Sequence, residues 1–572
     1  MNGINKEAER KRLLLLLFTG ILFSVSWILT TDNGFLFDDY SNILMAKNQS
    51  YAEIFTFFPV QRYNDRCLAV MFVKLLYDIF GLNIQAYHFA FVGIHYVNVI
   101  IVYKILREYV LKEGPSKEYS AIIGAGIFGI YPISLMAVSW VSAEYEMVCS
   151  FFYVLCMYFY LKYKHNDKYN NFYGALCILC FYCALRSKEM AIVLPVLGIL
   201  YELKESIENK KIKFSNVLKI ALVIMLIFAG ILFSKKEVSD LPTDSPYYQD
   251  YSLGAMITSA IRYLFLYFDL ENSAFAYDGV NIWGCMGAVL VVLLVVYGIV
   301  VLVRYKQMGV ICGILMIGVS LAPVLQLVNM QHRLYLYIPS IFIGITIAVW
   351  LQEFFEGRLK KHANVITVGI ILGLVLVNYA PGVVTLKSTW ITYCDEDKES
   401  IKSLMKQETL PVECKVYVKG ASEGYNIFSY GPGNSVKLFQ DNPTIEVELV
   451  DEFPKNVENP YVFWEFENGR IVEVKRDAAP PKINVTGVYP QEVIVDDEKE
   501  YTDISITCEN IDQNMVICID GVEYDTVVGE EFISTSVSND YIKEVNEIKV
   551  KVINSYNAGE SDTYTVGIVK ER

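Results

Sequence analysis

Residues 13–40 read LLLLLFTGILFSVSWILTTDNGFLFDDY. Positions 13–31 carry no charge, and then Asp32, Asp38 and Asp39 arrive within eight positions. The uncharged run is close to the ~20 residues a helix needs to cross hydrocarbon. Adjacent carboxylates at the mouth of such a helix are costly to hold near lipid, so a functional role is worth testing for them. The bland alternative is local: either acid can cap a helix beginning near Ser41.

The same pattern recurs along the chain. Of its 572 residues, 54% are hydrophobic, too many for an ordinary soluble enzyme, and they fall in blocks. Further uncharged runs occupy 119–143, 279–303, 307–331, 334–352 and 363–386. Weaker spans lie near 86–103, 147–163, 171–186, 189–203 and 217–234. Taken together they predict a polytopic α-helical membrane protein with about 11 crossings at ~20 residues each. Lys6, Arg10, Lys11 and Arg12 precede the first span, which puts the N-terminus in the cytoplasm. The segment 254–275 contains Arg262, Asp269 and Glu271 and reads as an interfacial helix on the outer side. The first span is read as an anchor rather than a cleaved signal, since it lacks a clear small-residue cleavage site.

Charge divides the chain. From 390 onward there are 36 acidic and 17 basic residues, a net of −19; the whole chain carries −14, so residues 1–389 carry +5. The tail is expected outside the cell, acidic and without a basic face for nucleic acid. Residues 387–408 read as an amphipathic helix. Residues 390–477 form a small mixed α/β unit, with alternating apolar positions around turn signals such as Gly431-Pro432-Gly433. Ala478-Ala479-Pro480-Pro481 marks a linker. Short strands follow across 478–572, approaching the ~7 expected of an immunoglobulin-like sandwich. Cys508 and Cys518 lie in this part and are able to pair, although sequence does not determine connectivity. Cys177, Cys180 and Cys183 fall in an apolar run and read as buried small hydrophobes rather than metal ligands. His88 and His95, seven apart, read as helix packing for want of further ligands. Asn484-Val485-Thr486 fits a glycosylation acceptor pattern that also arises by chance.

With this topology several polar groups gather on the outer face. They are Asp38 and Asp39, Glu144 and Glu146, Arg186, Lys188 and Glu189, and His332 with Arg333. A carboxylate can take a proton from an attacking hydroxyl, and Arg or Lys can hold a phosphate leaving group. Arg186 and Lys188 can instead snorkel from helix ends. Arg333, beside Tyr335 and Tyr337, can serve as an interfacial anchor.

Phe37-Asp38-Asp39-Tyr40 resembles the first-loop acidic motif of GT-C glycosyltransferases, and most closely the protein O-mannosyltransferase-like set that includes the tetratricopeptide-containing transmembrane type. Phe80-Gly81-Leu82-Asn83 with Tyr87-His88, His95 and Asn98 is similar to a pattern in those proteins. So are Pro132 with Val138-Ser139-Trp140-Val141-Ser142, Ser187-Lys188-Glu189 with Leu194-Pro195, the stretch from Arg262 to Tyr277, and Arg333-Leu334-Tyr335-Leu336-Tyr337-Ile338-Pro339. Together they cover roughly residues 13–390. There are departures. Tyr131 stands where the family usually has His, Glu144-Tyr145-Glu146 replaces a basic-plus-acidic pair, and Arg333 is one residue farther from Pro339 than usual. The tail also lacks tetratricopeptide repeats.

The resemblance implies a GT-C-like catalytic domain at 1–389, using a polyprenyl-phosphate-linked sugar donor on the outer leaflet. The acceptor hydroxyl belongs to a protein or an envelope glycan. Transfer is inverting, with Asp38 as base and Asp39 as its orienting partner. Arg333 and Lys188 hold phosphate, with Arg186, Glu144, Glu146 and His332 as further substrate contacts. No metal ligands are assigned. The rival readings are a transporter or flippase of lipid-linked glycans, and a non-catalytic envelope scaffold. The first needs charged or broken helices near the bilayer midplane, which long uncharged runs disfavour.

Overall fold

The fold is taken from a computed structural model. It describes residues 33–57, 64–131, 137–165, 168–209, 241–267, 308–356 and 392–570, less 423–425, 430, 432, 455–456, 458–459, 475–481, 496–498 and 556–558, together with residues 20, 21, 24 and 226. The expected spans 279–303 and 363–386, and almost all of 13–31 and 217–234, lie outside the described residues. The chain forms two compact units, Met1–Cys394 and Asp395–Arg572.

The first unit is helical. Its main helices are α1 (Asp39–Asn48), α2 (Cys67–Phe80), α3 (Ile84–Ile105), α4 (Lys117–Ile130), α5 (Glu144–His165), α6 (Asn170–Leu185), α7 (Leu194–Asn209), α8 (Leu253–Tyr267), α9 (Met308–Leu321) and α10 (Tyr337–Phe354). Among the described residues, two stretches are long and apolar enough to cross a membrane, Ile84–Val110 and Arg333–Phe354. Local chemistry fixes several ends. Gly81, at φ +56, ends α2 and donates its N–H to the Tyr77 carbonyl at 2.7 Å, a conformation glycine adopts without a Cβ penalty. Helix α5 opens with Glu144 and Glu146 and closes with Lys162, Lys164 and His165, which suits the helix dipole at both ends. Pro339 sits in the first turn of α10, where a missing N–H costs nothing.

Helix α5 packs on α3 and α6, and α4 packs on α10. The α4–α10 crossing is close because two glycines face each other there: a Cβ on Gly124 would sit 2.6 Å from the Gly344 carbonyl oxygen. Polar side chains tie the same helices. His95 bridges the Tyr337 hydroxyl (2.8 Å) and the Gly129 carbonyl (2.9 Å), and Asn98 donates to Ser150 Oγ (3.0 Å). His95 thus joins α3, α4 and α10 as a packing residue. Within α6, Cys177 Sγ lies 3.6 Å from Cys156 Sγ of α5.

The second unit, from Asp395, holds most of α11 (Thr392–Leu404) and a four-stranded sheet of order β2-β1-β3-β4. Strand β1 (Lys415–Lys419) runs parallel to β2 (Glu446–Val450) and β3 (Tyr461–Glu467), and β4 (Arg470–Glu473) turns back antiparallel to β3. The β3–β4 turn is Asn468-Gly469, both at positive φ, the pair a two-residue hairpin favours. Trp464 of β3 is fully buried.

Two more sheets follow. One orders β10 (Val527–Val528), β11 (Ile533–Ser538), β7 (Tyr501–Cys508) and β5 (Val485–Tyr489). The other orders β6 (Glu492–Ile494), β13 (Tyr564–Val569), β12 (Glu547–Asn554), β8 (Met515–Ile519) and β9 (Val522–Tyr524). Alternate residues of both sheets, among them Ile504, Ile506, Ile517, Val537, Val550 and Val566, share one apolar core, so the pair is a β-sandwich. Cys508 and Cys518 are both free thiols.

Candidate active site

The acidic stretch folds into a tight turn before α1. Phe37 takes a left-handed conformation, φ +51, costly for a bulky residue. The Asp39 N–H donates to the Leu36 carbonyl at 2.9 Å, and the Leu36 N–H donates to Asp39 Oδ2, also at 2.9 Å. Asp39 is therefore turned inward and is 1% exposed, whereas Asp38 beside it is exposed. Asp38 sits at the N-cap position of α1 but its side chain makes no capping bond. Capping does not account for either acid.

A second loop holds the turn in place. Asp39 Oδ1 accepts the Ser142 N–H (2.7 Å) and the Ser142 hydroxyl (2.5 Å). Asn42 donates to both Ser142 Oγ and Glu144 Oε1 at 3.1 Å. Trp140 donates from Nε1 to the Leu36 carbonyl (3.4 Å), and its ring meets Phe37 edge-on. Burial raises the Asp39 carboxyl to about 7, against the lowering effect of its bonds from Ser142 and Leu36; the neighbouring Asp38 charge adds to the rise. Partial shielding from solvent also moves the Asp38 carboxyl upward.

The first turn of α5 connects this pair to the cationic groups. Glu144 faces Asn42, and two residues on, buried Glu146 forms an ion pair with buried Lys188. Lys188 also lies over the Tyr335 ring, 4.6 Å from its centroid. Between the two glutamates, Tyr145 stacks under the Arg66 guanidinium at 5.0 Å. Arg66 in turn grips Glu189 with two bonds, 3.0 and 2.6 Å. His332 approaches from the other side, 6.0 Å ring to ring from Trp140. Burial, with the charges of Lys188 and Arg333 pushing the same way, lowers its imidazole to about 4, so it is neutral at pH 7.

The structure thus brings together Asp38, Asp39, Glu144, Glu146, Lys188 and His332. Arg333 opens the turn Arg333–Leu336 beside them and is half-buried. Arg186 is committed elsewhere. It is 5% exposed and donates to the carbonyls of Thr56 (2.7 Å), Asn64 (2.9 Å) and Asp65 (3.0 Å), pegging that segment against the end of α6. Tyr131 stacks on Tyr267 at 4.4 Å and donates to its carbonyl at 2.6 Å, tying α4 to α8.

The sequence alone does not single out Arg66 or Asn42, and it shows Tyr145 only as the middle of Glu144-Tyr145-Glu146. Arg66 lies in no outstanding motif, and only its bond to Glu189, 123 positions away, reveals it. Ser142 was visible within the Val138–Ser142 stretch, without its role as Asp39's partner. Among the described residues no His, Cys, Asp and Glu side chains group as a metal site.

No family model and no curated protein matches this sequence. Among solved structures the chain is similar to the crystal structure of ArnT from Cupriavidus metallidurans bound to undecaprenyl phosphate, with 10% identity and a TM-score of 0.45, over 76% of this chain and 85% of that one. A likeness this loose carries no argument about function.

Proposed function

We propose that this chain is a membrane glycosyltransferase of GT-C type. It moves a sugar from a polyprenyl-phosphate donor to an acceptor hydroxyl on the outer face of the membrane. Its N-terminus is cytoplasmic, its helices make about 11 crossings, and both parts of its tail, the last an Ig-like sandwich, are external. One observation carries the reading. Asp39 is locked inward by three hydrogen bonds, and the same turn presents Asp38 outward, next to a helix end that gathers Lys188 and Arg66.

The chemistry follows from that placement. Asp38 accepts the proton of the acceptor hydroxyl as its oxygen attacks the anomeric carbon. The bond from that carbon to the phosphate oxygen breaks on the opposite face, so configuration inverts. Negative charge grows on the departing phosphate, and a cation there lowers the barrier. Lys188 and Arg66 are the groups we assign to it, with Arg333 beside them. Each of the first two is held by a carboxylate, Glu146 or Glu189, which orients it. Arg186 has no part in this, since its guanidinium serves backbone carbonyls.

The test is transfer in membranes. Wild type and Asp38→Asn are supplied with radiolabelled polyprenyl-phosphate sugars and isolated envelope acceptor. Loss of a general base costs ~100-fold or more, with unchanged protein level in the membrane. Undiminished transfer by Asp38→Asn would show the base assignment to be wrong.

A further inference from the structure

The β-sandwich carries an outward sheet face that its core does not explain. On β7 the residues alternate, with Ile504 and Ile506 inward and Tyr501, Asp503, Ser505 and Thr507 outward. Its neighbours present Ser534 and Ser536 from β11, opposite Ser505 and Asp503, and Tyr489 from β5, opposite Ser505 on the other side. The result is a bed of small hydroxyls with an exposed tyrosine at two places. Tyr489 and Tyr501 are each 58% exposed. By strand rise their Cα atoms stand about 14 Å apart.

Three features distinguish this face from an ordinary solvated sheet. First, the Tyr489 ring is seated. It folds back over Gly487, where a Cβ would come within 2.9 Å of the ring and 3.0 Å of Thr507 Oγ1. A shift in register between Val485 and Gly487 brings that glycine into place. The ring therefore lies against the sheet with a large share of its surface open. Second, the face is nearly uncharged within a strongly acidic tail. Among the described residues at the outward positions of β5, β7 and β11, Asp503 alone is charged, and it already accepts the Ser536 hydroxyl at 2.6 Å. Third, serine and threonine hydroxyls both donate and accept, so they can meet a partner that is itself covered in hydroxyls.

We infer that this face binds a neutral glycan chain, with Tyr489 and Tyr501 as stacking platforms and the Ser505, Ser534 and Ser536 hydroxyls between them. A pyranose ring has an apolar face that stacks on an aromatic ring and a hydroxylated rim that bonds polar neighbours. Charge decides between glycan classes: the acidic surroundings repel anionic polymers, and the near-neutral bed lacks the carboxylates a basic peptide would need. The inference rests on the sandwich alone and stands or falls apart from glycosyl transfer.

The test uses the full chain in lipid nanodiscs on an array of neutral oligosaccharides, with polygalacturonate and polylysine as charged controls. Retention of at least one neutral oligosaccharide is expected. The Tyr489→Ala/Tyr501→Ala variant should lose it by 10-fold or more, while Tyr489→Phe/Tyr501→Phe stays within about threefold. Gly487→Ala, which lifts one ring, should weaken binding several-fold. Melting of the sandwich and transfer activity, followed in parallel, separate unfolding of this unit from loss of the face. The inference is overturned by retention of no neutral glycan, by preference for either charged control, or by binding undiminished in the double alanine variant with its sandwich folded.

Discussion

Two neighbouring aspartates have opposite fates. Asp39 is buried with both oxygens occupied, and Asp38 is exposed with none used for capping. The difference comes from Ser142, whose N–H and hydroxyl both serve Asp39 Oδ1. Removing that hydroxyl in Ser142→Ala leaves a buried carboxylate short of a donor, a loss of about 1–3 kcal/mol. Transfer should fall along with thermal stability, and the pH optimum should move upward, because one of the bonds that lower the Asp39 carboxyl is gone. The wild-type site has its own pH signature. Asp39 is raised from 3.8 to about 7, so its folded form binds a proton more tightly than the unfolded chain does. Its contribution to stability is complete below pH 3.8 and is lost as pH rises through about 7. Melting temperatures of wild type and Asp39→Asn should therefore diverge over that window, wild type falling more steeply.

At the scale of elements, the helices depend on close approach as much as on apolarity. Gly124 and Gly344 let α4 and α10 meet backbone to backbone, a packing small residues permit. Gly344→Val forces them apart, and overpacking of this kind costs about 1–3 kcal/mol. The variant should melt lower in detergent, with the sandwich transition unmoved. Much of this level was legible beforehand. Uncharged runs marked α4, α9 and α10, and the alternation in Asp503–Cys508 marked β7. Two turns were legible and passed over: Asn468-Gly469 and Asp520-Gly521 both take the positive φ values of tight hairpins. Helix α8 falls largely within the interfacial helix expected over 254–275, whereas its tie through Tyr131 needs the neighbouring helix in place.

The whole molecule is two units with separate cores. Ile517, fully buried in the sandwich, tests their independence. Ile517→Ala removes about 2–5 kcal/mol from that core, and a calorimetric scan should show one transition lowered and another unchanged. A single cooperative shift of both would show that the units unfold together.

What the sequence determined by itself is whatever repeats over short distances. Runs without charge announce helices fit for lipid, alternation announces strands, and a change in charge balance separates the acidic tail. It also singled out Asp38 and Asp39, because charge beside an apolar span is conspicuous locally. Tertiary structure alone decided that Asp39 is buried while Asp38 is exposed, the commitment of Arg186 to the carbonyls of Thr56, Asn64 and Asp65, and the arrival of Arg66 beside Tyr145 and Glu189. Each of those depends on a partner at least 79 positions away, as Arg66 is from Tyr145. Periodicity reports which face a residue occupies; only packing reports which group it meets there.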